Sequence, residues 1–218
     1  MSIDIETSRF YDSYASHLAA GGESPRSAML AFILEELRAG ATVLDVGTGS
    51  GRDVAAMLGH GLDAYGVEPN DSMRARALAS FPQLAGRILS GSLPKLGRPF
   101  DQACPEGFDA IVCSAVLMHL NGEELIVALA DLEQQLRRPQ SDSSRLPKFV
   151  FISLPALNPS RLSKNRDEDG RQFFNHDPAY VQELLRGRGM MMKRWETSEV
   201  ALQSTGTLWH TLVFERSD

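Results

Sequence analysis

Residues 43–51, VLDVGTGSG, set an apolar, β-branched run directly against three glycines spaced two apart. A strand ending in a glycine turn lets backbone approach a ligand that a Cβ would keep away. Three ligand classes use such turns, and the neighbouring residues separate them. A phosphate-binding loop needs GxxxxGK[ST], whose lysine reaches the phosphates and whose hydroxyl holds magnesium. Here Gly51 is followed by Arg52 and Asp53, so that reading fails. A dinucleotide fingerprint needs GxGxxG, so that pyrophosphate meets helix-terminal N–H groups. Gly47, Gly49 and Gly51 give GxGxG instead, with Arg52 at the position of the third glycine. Asp45, at the end of the strand, would repel a pyrophosphate and suits a cationic group. A nicotinamide-dependent oxidoreductase is therefore the weaker reading, and a phosphate-free cationic ligand the stronger.

The turn sits in a chain of alternating strands and helices. SPRSAMLAFILEELRAG predicts a helix with Ser24 as N-cap, Pro25 at its first position, Leu30, Ile33, Leu34 and Leu37 on one face, and Gly40 as its stop. ATVLDV reads as a buried strand, RDVAAMLGHG as a short helix ending at Gly59 or Gly61, and DAYGVE as a second strand. DSMRARALASF is helical, GRILSG is a weak third strand, and residues 93–107 form an irregular loop. FDAIVCSAVLMHL predicts a central strand running out toward His119, followed by a helix capped by Asn121 with Leu125, Leu129, Leu132 and Leu136 on one stripe. PQSDSSRLP reads as a surface loop and KFVFISLP as another buried strand. DPAYVQELLRGRG is a helix with Asp177 as N-cap and Pro178 at its first position. Two last strands, joined through ALQSTGT, must be antiparallel neighbours, because a parallel crossover needs more chain. The pattern is α/β: a Rossmann-like, doubly wound, mainly parallel sheet, whose ligand belongs outside the carboxyl ends of the strands.

An acid, then GxGxG, then a second acid ending the next strand resembles the S-adenosylmethionine (SAM) site of class I methyltransferases. The elements in this chain are LDVGTGSG and GVEPN, with Glu68 lying 17 residues beyond Gly51. The resemblance implies a seven-stranded sheet with an antiparallel C-terminal strand, and SAM as cofactor with S-adenosylhomocysteine (SAH) as product. It implies a cofactor site of Asp45, Gly47, Thr48, Gly49, Gly51, Glu68, Pro69, Ser92, Leu93 and Ser114. Glu68 would accept both ribose hydroxyls, and Pro69 and Asn70 would border the adenine. Ser114, Ala115 and Val116 would lie beside the cofactor. Ser92 of GSLPKL stands where the family usually has an acid, which leaves adenine recognition to backbone groups or to its hydroxyl. Residues 1–218 then form a single domain, with 1–40 as an N-terminal helical cap and 155–177 as a substrate-side loop.

Methyl transfer from a sulfonium needs alignment and exclusion of water, and for some acceptors a base. His119 is the best-placed candidate base, with packing or capping as its structural alternative. Tyr11 and Tyr14, three apart on one helical face, together with His176 and Arg171, are the candidate substrate contacts. Arg171 would either clamp a substrate carboxylate or pair with Asp167, Glu168 and Asp169; Phe173 and Phe174 would line a pocket or anchor the loop.

The net charge of −6 argues against a nucleic-acid or anionic-lipid surface. The Asn/Asp-Pro-Pro-aromatic motif of nucleic-acid amino methylation is absent, the fourth strand ending CSAVLMHL. A small-molecule acceptor is expected. Two cysteines without CxxC spacing, a start lacking signal-peptide character and no long apolar run predict a reduced, cytoplasmic protein without a membrane span. Scattered histidines predict no metal site. A non-catalytic SAM- or SAH-binding module, or partner subunit, stays as the alternative, because binding motif and chemistry are separable.

Overall fold

The computed structural model describes residues 3–22, 28–137, 147–156, 159–198 and 208–216. The expected caps Ser24 and Pro25, the loop over 139–146 and the ALQSTGT connection lie outside the described residues. The element order is α1 (Ile5–Ala19), α2 (Met29–Glu36), β1 (Thr42–Val46), α3 (Arg52–Gly59), β2 (Asp63–Val67), α4 (Asp71–Ser80) and β3 (Ile88–Leu89). It continues with β4 (Ala110–Ser114), α5 (Gly122–Gln134), β5 (Lys148–Ala156), α6 (Pro178–Arg186), β6 (Met191–Ser198) and β7 (Leu208–Arg216).

Seven strands form one sheet in the order β3-β2-β1-β4-β5-β7-β6. The β1, β2, β3, β4 and β5 pairings are parallel, and β7 runs antiparallel to both β5 and β6. The doubly wound expectation holds, including the antiparallel last strand. One sheet face packs against α5 and α6 through Leu125, Leu129, Leu132, Val181 and Leu185. The other packs against α2 and α3 through Met29, Ile33, Val54 and Met57. Phe149, Phe151 and Phe214 are among the fully buried side chains of the inner strands, each contributing about 1.5–3 kcal/mol by leaving water. Strand order reverses between β1 and β4, so the crevice for a ligand opens beside Asp45 and Ser114.

Three local expectations are corrected. α2 ends at Glu36 rather than at Gly40, because Leu37 turns extended (φ −103°, ψ 143°). β4 ends at Ser114 instead of running out toward His119: Ala115 takes φ +58° and breaks the pairing, and residues Leu117–His119 form a 3-10 turn. Leu136 falls past the end of α5 and bridges Phe108. Elsewhere the local chemistry acts as its residues imply. Asn121 and Glu124 form a capping box at α5, and Asp177 caps α6 with Pro178 at its first position. Of the 1–40 segment, α1 lies against α4 near the carboxyl edge, while α2 belongs to the core. The segment after β5 is not featureless: Arg166 bridges both Ser163 and Gln172.

Candidate active site

β1 delivers Asp45 to the carboxyl edge and the chain turns at once through Gly47, Gly49 and Gly51, all three at positive φ. At Gly47 the need is also spatial, since an added Cβ would meet Val116 Cγ2 at 2.3 Å. Thr48 makes a matching demand on the next strand: a Cβ on Gly66 would fall 2.8 Å from Thr48 Cγ2. Gly66 is a residue sequence reasoning missed; its signal was a glycine inside an otherwise branched and aromatic strand.

Glu68 is 6% exposed at the end of β2. Its two oxygens each accept one backbone N–H, Oε2 from Gly49 and Oε1 from Asn70, both at 2.9 Å. Burial pushes its carboxyl up, and those two N–H groups together with Arg74 oppose the shift. Asp45, 5% exposed, is raised to about 7 by burial first and by Asp53 next. Thr48 Oγ1 stands close enough to Asp45 to counter this in part, yet it is buried without a hydrogen-bond partner. Pro69 is half-buried, Leu93 is buried, and Ser114 shares a 2.9 Å hydrogen bond with Ser153. Ser153 Oγ also accepts the N–H of Ala115 at 2.9 Å.

A second group of side chains comes together from distant parts of the chain. His119 Nδ1 lies 2.6 Å from the carbonyl of Gln172, which can only accept, so this nitrogen carries the proton. The lone pair on Nε2 therefore faces Tyr11, whose hydroxyl donates to it at 3.1 Å. Burial holds this His119 at a pKa of about 4 and pushes Tyr11 up to about 12. Both are neutral near pH 7. Tyr14 stacks on Phe10 and packs toward Ala15, Leu18 and Met73 instead of joining them.

Arg171 lies over Phe10 and Phe173, at 4.2 and 5.0 Å from their ring centroids. Its Nε donates to Asp167 at 2.8 Å, and its Nη2 contacts Asp167 and Asp169. Of the two readings of Arg171, the pairing with neighbouring acids is the one present: Asp167 occupies the guanidinium fork and Asp169 lies beside it. His176 is likewise spent, because its Nε2 donates to the carbonyls of Leu117 and Leu120 and pins the 3-10 turn. Phe173 is buried edge-on to His119, and Phe174 N–H bonds the Met118 carbonyl.

α1 is tied down on both sides of this group. Arg166 makes a bidentate pair with Asp4 at 2.8 and 2.9 Å, and Gln172 N–H donates to Thr7 Oγ1 at 2.8 Å. On the other side Asn70 Nδ2 donates to Asp12 and to the Ser8 carbonyl. Asn70 thus touches α1 with its side chain and Glu68 with its backbone, a link that no motif announced.

Fold and site together define a class: a three-layer α/β protein with an acid-flanked glycine turn at the switch point of its sheet. The chain belongs to a methyltransferase-domain family, whose model matches residues 14–141, more than half its length. It is 31% identical over 139 residues to an uncharacterized methyltransferase of Geobacillus sp. (strain WCH70), covering 64% of this chain and 59% of that protein. It is 38% identical over 97 residues to one of Bacillus pumilus, covering 42% and 41%. The matches thus span between about two-fifths and three-fifths of the length of these relatives.

Among solved structures, Burkholderia thailandensis 1,6-didemethyltoxoflavin-N1-methyltransferase, with bound 1,6-didemethyltoxoflavin and SAH, aligns at TM-score 0.69 and 18% identity, covering 100% of this chain and 92% of that one. The magnesium protoporphyrin IX methyltransferase of Synechocystis, with bound SAM, aligns at 0.58 and 17%, covering 98% and 81%. The [4+2]-cyclase SpnF aligns at 0.67 and 13%, covering 100% and 97%. These likenesses concern the fold. Among the described residues no helix is long and apolar enough to cross a membrane.

Proposed function

We propose that this chain binds SAM at the carboxyl edge of its sheet and moves the methyl group to a nucleophilic atom of a small molecule. The observation that carries the reading is the pairing of Glu68 with the glycine turn: a buried carboxylate held by Gly49 and Asn70 N–H groups, with lone pairs left for two more donors. Asp45 fits the same ligand, since a buried acid with the Thr48 hydroxyl beside it suits an ammonium and its polar neighbours.

In this reading Asp45 faces the cofactor's ammonium, Gly47, Thr48, Gly49 and Gly51 form the turn around its amino-acid portion, and Glu68 takes the ribose hydroxyls. Pro69, Ser92 and Leu93 border the adenine, and Ser114 the region near the sulfur. When bound, SAM supplies a methyl group activated by the positive charge on sulfur. The chain's own task is to orient the acceptor and exclude water. α1 and the 155–177 segment form the acceptor-side cover of a single domain. A histidine held near pKa 4 is matched to holding a hydroxyl rather than to drawing off protons at neutral pH. His119 is therefore a positioning residue that orients Tyr11 toward the acceptor.

The net charge of −6 supports a small molecule over nucleic acid. Methyl transfer from labelled SAM to a panel of small acceptors tests the function, with SAH formation as readout. One observation favours a second reading: the Nε2 lone pair of His119 is already taken by Tyr11. Tight SAH binding with no product from any acceptor would point to a non-catalytic SAM/SAH-binding module, and stabilisation by NAD(H) but not SAH would overturn both readings.

A further inference from the structure

Among the described residues, four buried side-chain polar atoms lack a hydrogen-bond partner: Thr48 Oγ1, Trp209 Nε1, and the Nε of Arg137 and of Arg216. The two arginines place their other nitrogens on Thr42, Glu133 and the Arg137 carbonyl. Thr48 Oγ1 faces Asp45 within the cofactor turn, whereas the indole of Trp209 has no second nitrogen to bond elsewhere. The indole N–H of Trp209 is then the one wholly unused donor that the proposed cofactor does not explain.

Its position is informative. β7 runs against the parallel strands, so its first residues lie at their carboxyl ends; Trp209 pairs with Pro155, near the end of β5. Trp209 is 4% exposed and packs with Met118 and Phe173, joined by Ala115 and Leu162. Ala115 is the residue at φ +58° that ends β4, and such strain in a non-glycine residue gathers at ligand sites. On the same sheet face, Ser114, Ser153 and Thr211 stand in register across β4, β5 and β7. Leu162 and Phe173 belong to the segment that the Asp4–Arg166 pair ties to α1. Both side chains pack on the indole, so access to it needs that segment to shift.

We propose that Trp209 is a specificity-determining residue of the acceptor subsite, its N–H donating to a carbonyl oxygen or ring nitrogen of a flat, uncharged methyl acceptor. This rests on the methyltransferase reading and deepens it. A buried N–H without a partner costs free energy that a ligand acceptor atom recovers. The surrounding Met118, Phe173 and indole ring are the surfaces on which flat apolar molecules stack. The neighbouring charges are matched internally, Arg171 by Asp167 and Arg166 by Asp4, so none calls for a charged acceptor.

The chain has only two tryptophans, so the indole N–H can be read directly. Trp195 donates to His210 on the surface and is assigned by W195F. Calorimetry with SAH comes first, and its failure sinks the methyltransferase reading itself. The SAH-loaded, 15N-tryptophan-labelled protein is then titrated with 7-hydroxycoumarin in its neutral form, which carries a ring carbonyl, and with 2-naphthol, which does not. The expected result is a downfield shift of the Trp209 N–H with the coumarin alone. W209F, which keeps a ring but loses the donor, weakens the coumarin about fivefold and the naphthol less than twofold. A Trp209 resonance unmoved by the coumarin overturns the inference, as does equal weakening of both probes. The spectrum uses the native chain, so it decides the matter even where W209F does not fold.

Discussion

The two edges of the sheet are built from the ends of the same strands and differ in how their polar groups are matched. At the amino edge Asp109 accepts the Thr42 N–H and hydroxyl and lies near Arg137 and Lys148. Those partners hold its carboxyl below its ordinary value although burial pushes it up. A hollow of about 290 Å³ under the 97–108 loop opens at this edge too, and its Gln135 amide is satisfied by the Gly97 carbonyl. At the carboxyl edge Asp45 is raised to about 7, Thr48 and Trp209 lack partners, and Ala115 is strained. Orphaned atoms alone do not tell the edges apart, since Arg137 and Arg216 each leave Nε without a hydrogen bond at the amino edge; the raised acid and the strained Ala115 do.

Substitutions matched across the two edges test that contrast. Gly47→Ala carries the largest expected effect: a left-handed backbone position and a collision with Val116 together remove measurable SAH binding by calorimetry. Gly40→Ala, at φ +85° with nothing within 4 Å of the added Cβ, imposes the backbone strain alone. It should cost about 1 kcal/mol of stability in urea and leave SAH binding intact. If both variants bind alike, close approach at Gly47 is not what shapes the turn.

Glu68→Ala comes next, with SAH affinity reduced about a hundredfold as two charge-assisted hydrogen bonds are lost. Glu68→Gln, which keeps one acceptor oxygen, should fall between that variant and the native chain. Unchanged affinity in both would remove Glu68 from the site.

A smaller effect reads the electrostatics. Asp45 must be ionised to meet a cation, and its pKa without ligand is about 7. SAH affinity should therefore tighten as pH rises, by up to about tenfold per pH unit below 7, and level off above. Asp45→Asn should bind weakly at every pH without that slope.

His119→Ala should lower turnover about tenfold while changing SAH affinity less than threefold, with any change in KM for the acceptor smaller than the change in kcat. Its stability signature has a definite sign. The unfolded imidazole takes up a proton near pH 6.5 and the folded one only near 4, so His119 contributes a loss of stability as pH falls through that window, opposed there by Asp45, whose folded carboxyl is protonated near 7. Between about pH 6.5 and 4 the His119→Ala variant should lose less stability on acidification than the native chain, and a pH dependence identical in the two would assign the effect to other groups.

Much of the fold was legible because its signals are local. Apolar runs, the Pro178 start and the Asn121 cap each act over a few residues. The cofactor turn was legible for the same reason, its glycines lying within one short stretch. The end of β4 was not: SAVLMHL continues the apolar run, and nothing local shows that Ala115 turns left-handed to meet Ser153. Nor could the sequence choose between ligand contact and structural residue for Arg171 and His176. Arg171 and His176 have the chemistry of ligand contacts, but Asp167 and two backbone carbonyls consume it.

The sequence by itself determined the alternating architecture, the edge where a ligand belongs and the acids that flank the glycine turn. Hydrophobic period and glycine spacing are properties of neighbours along the chain. Only the tertiary structure decided which polar groups remain unspent: that Tyr11 meets His119 across 108 positions, that Asn70 joins α1 to Glu68, and that Trp209 is sealed without a partner. Whether a donor is satisfied depends on what folds against it, and those partners come from the far ends of the chain.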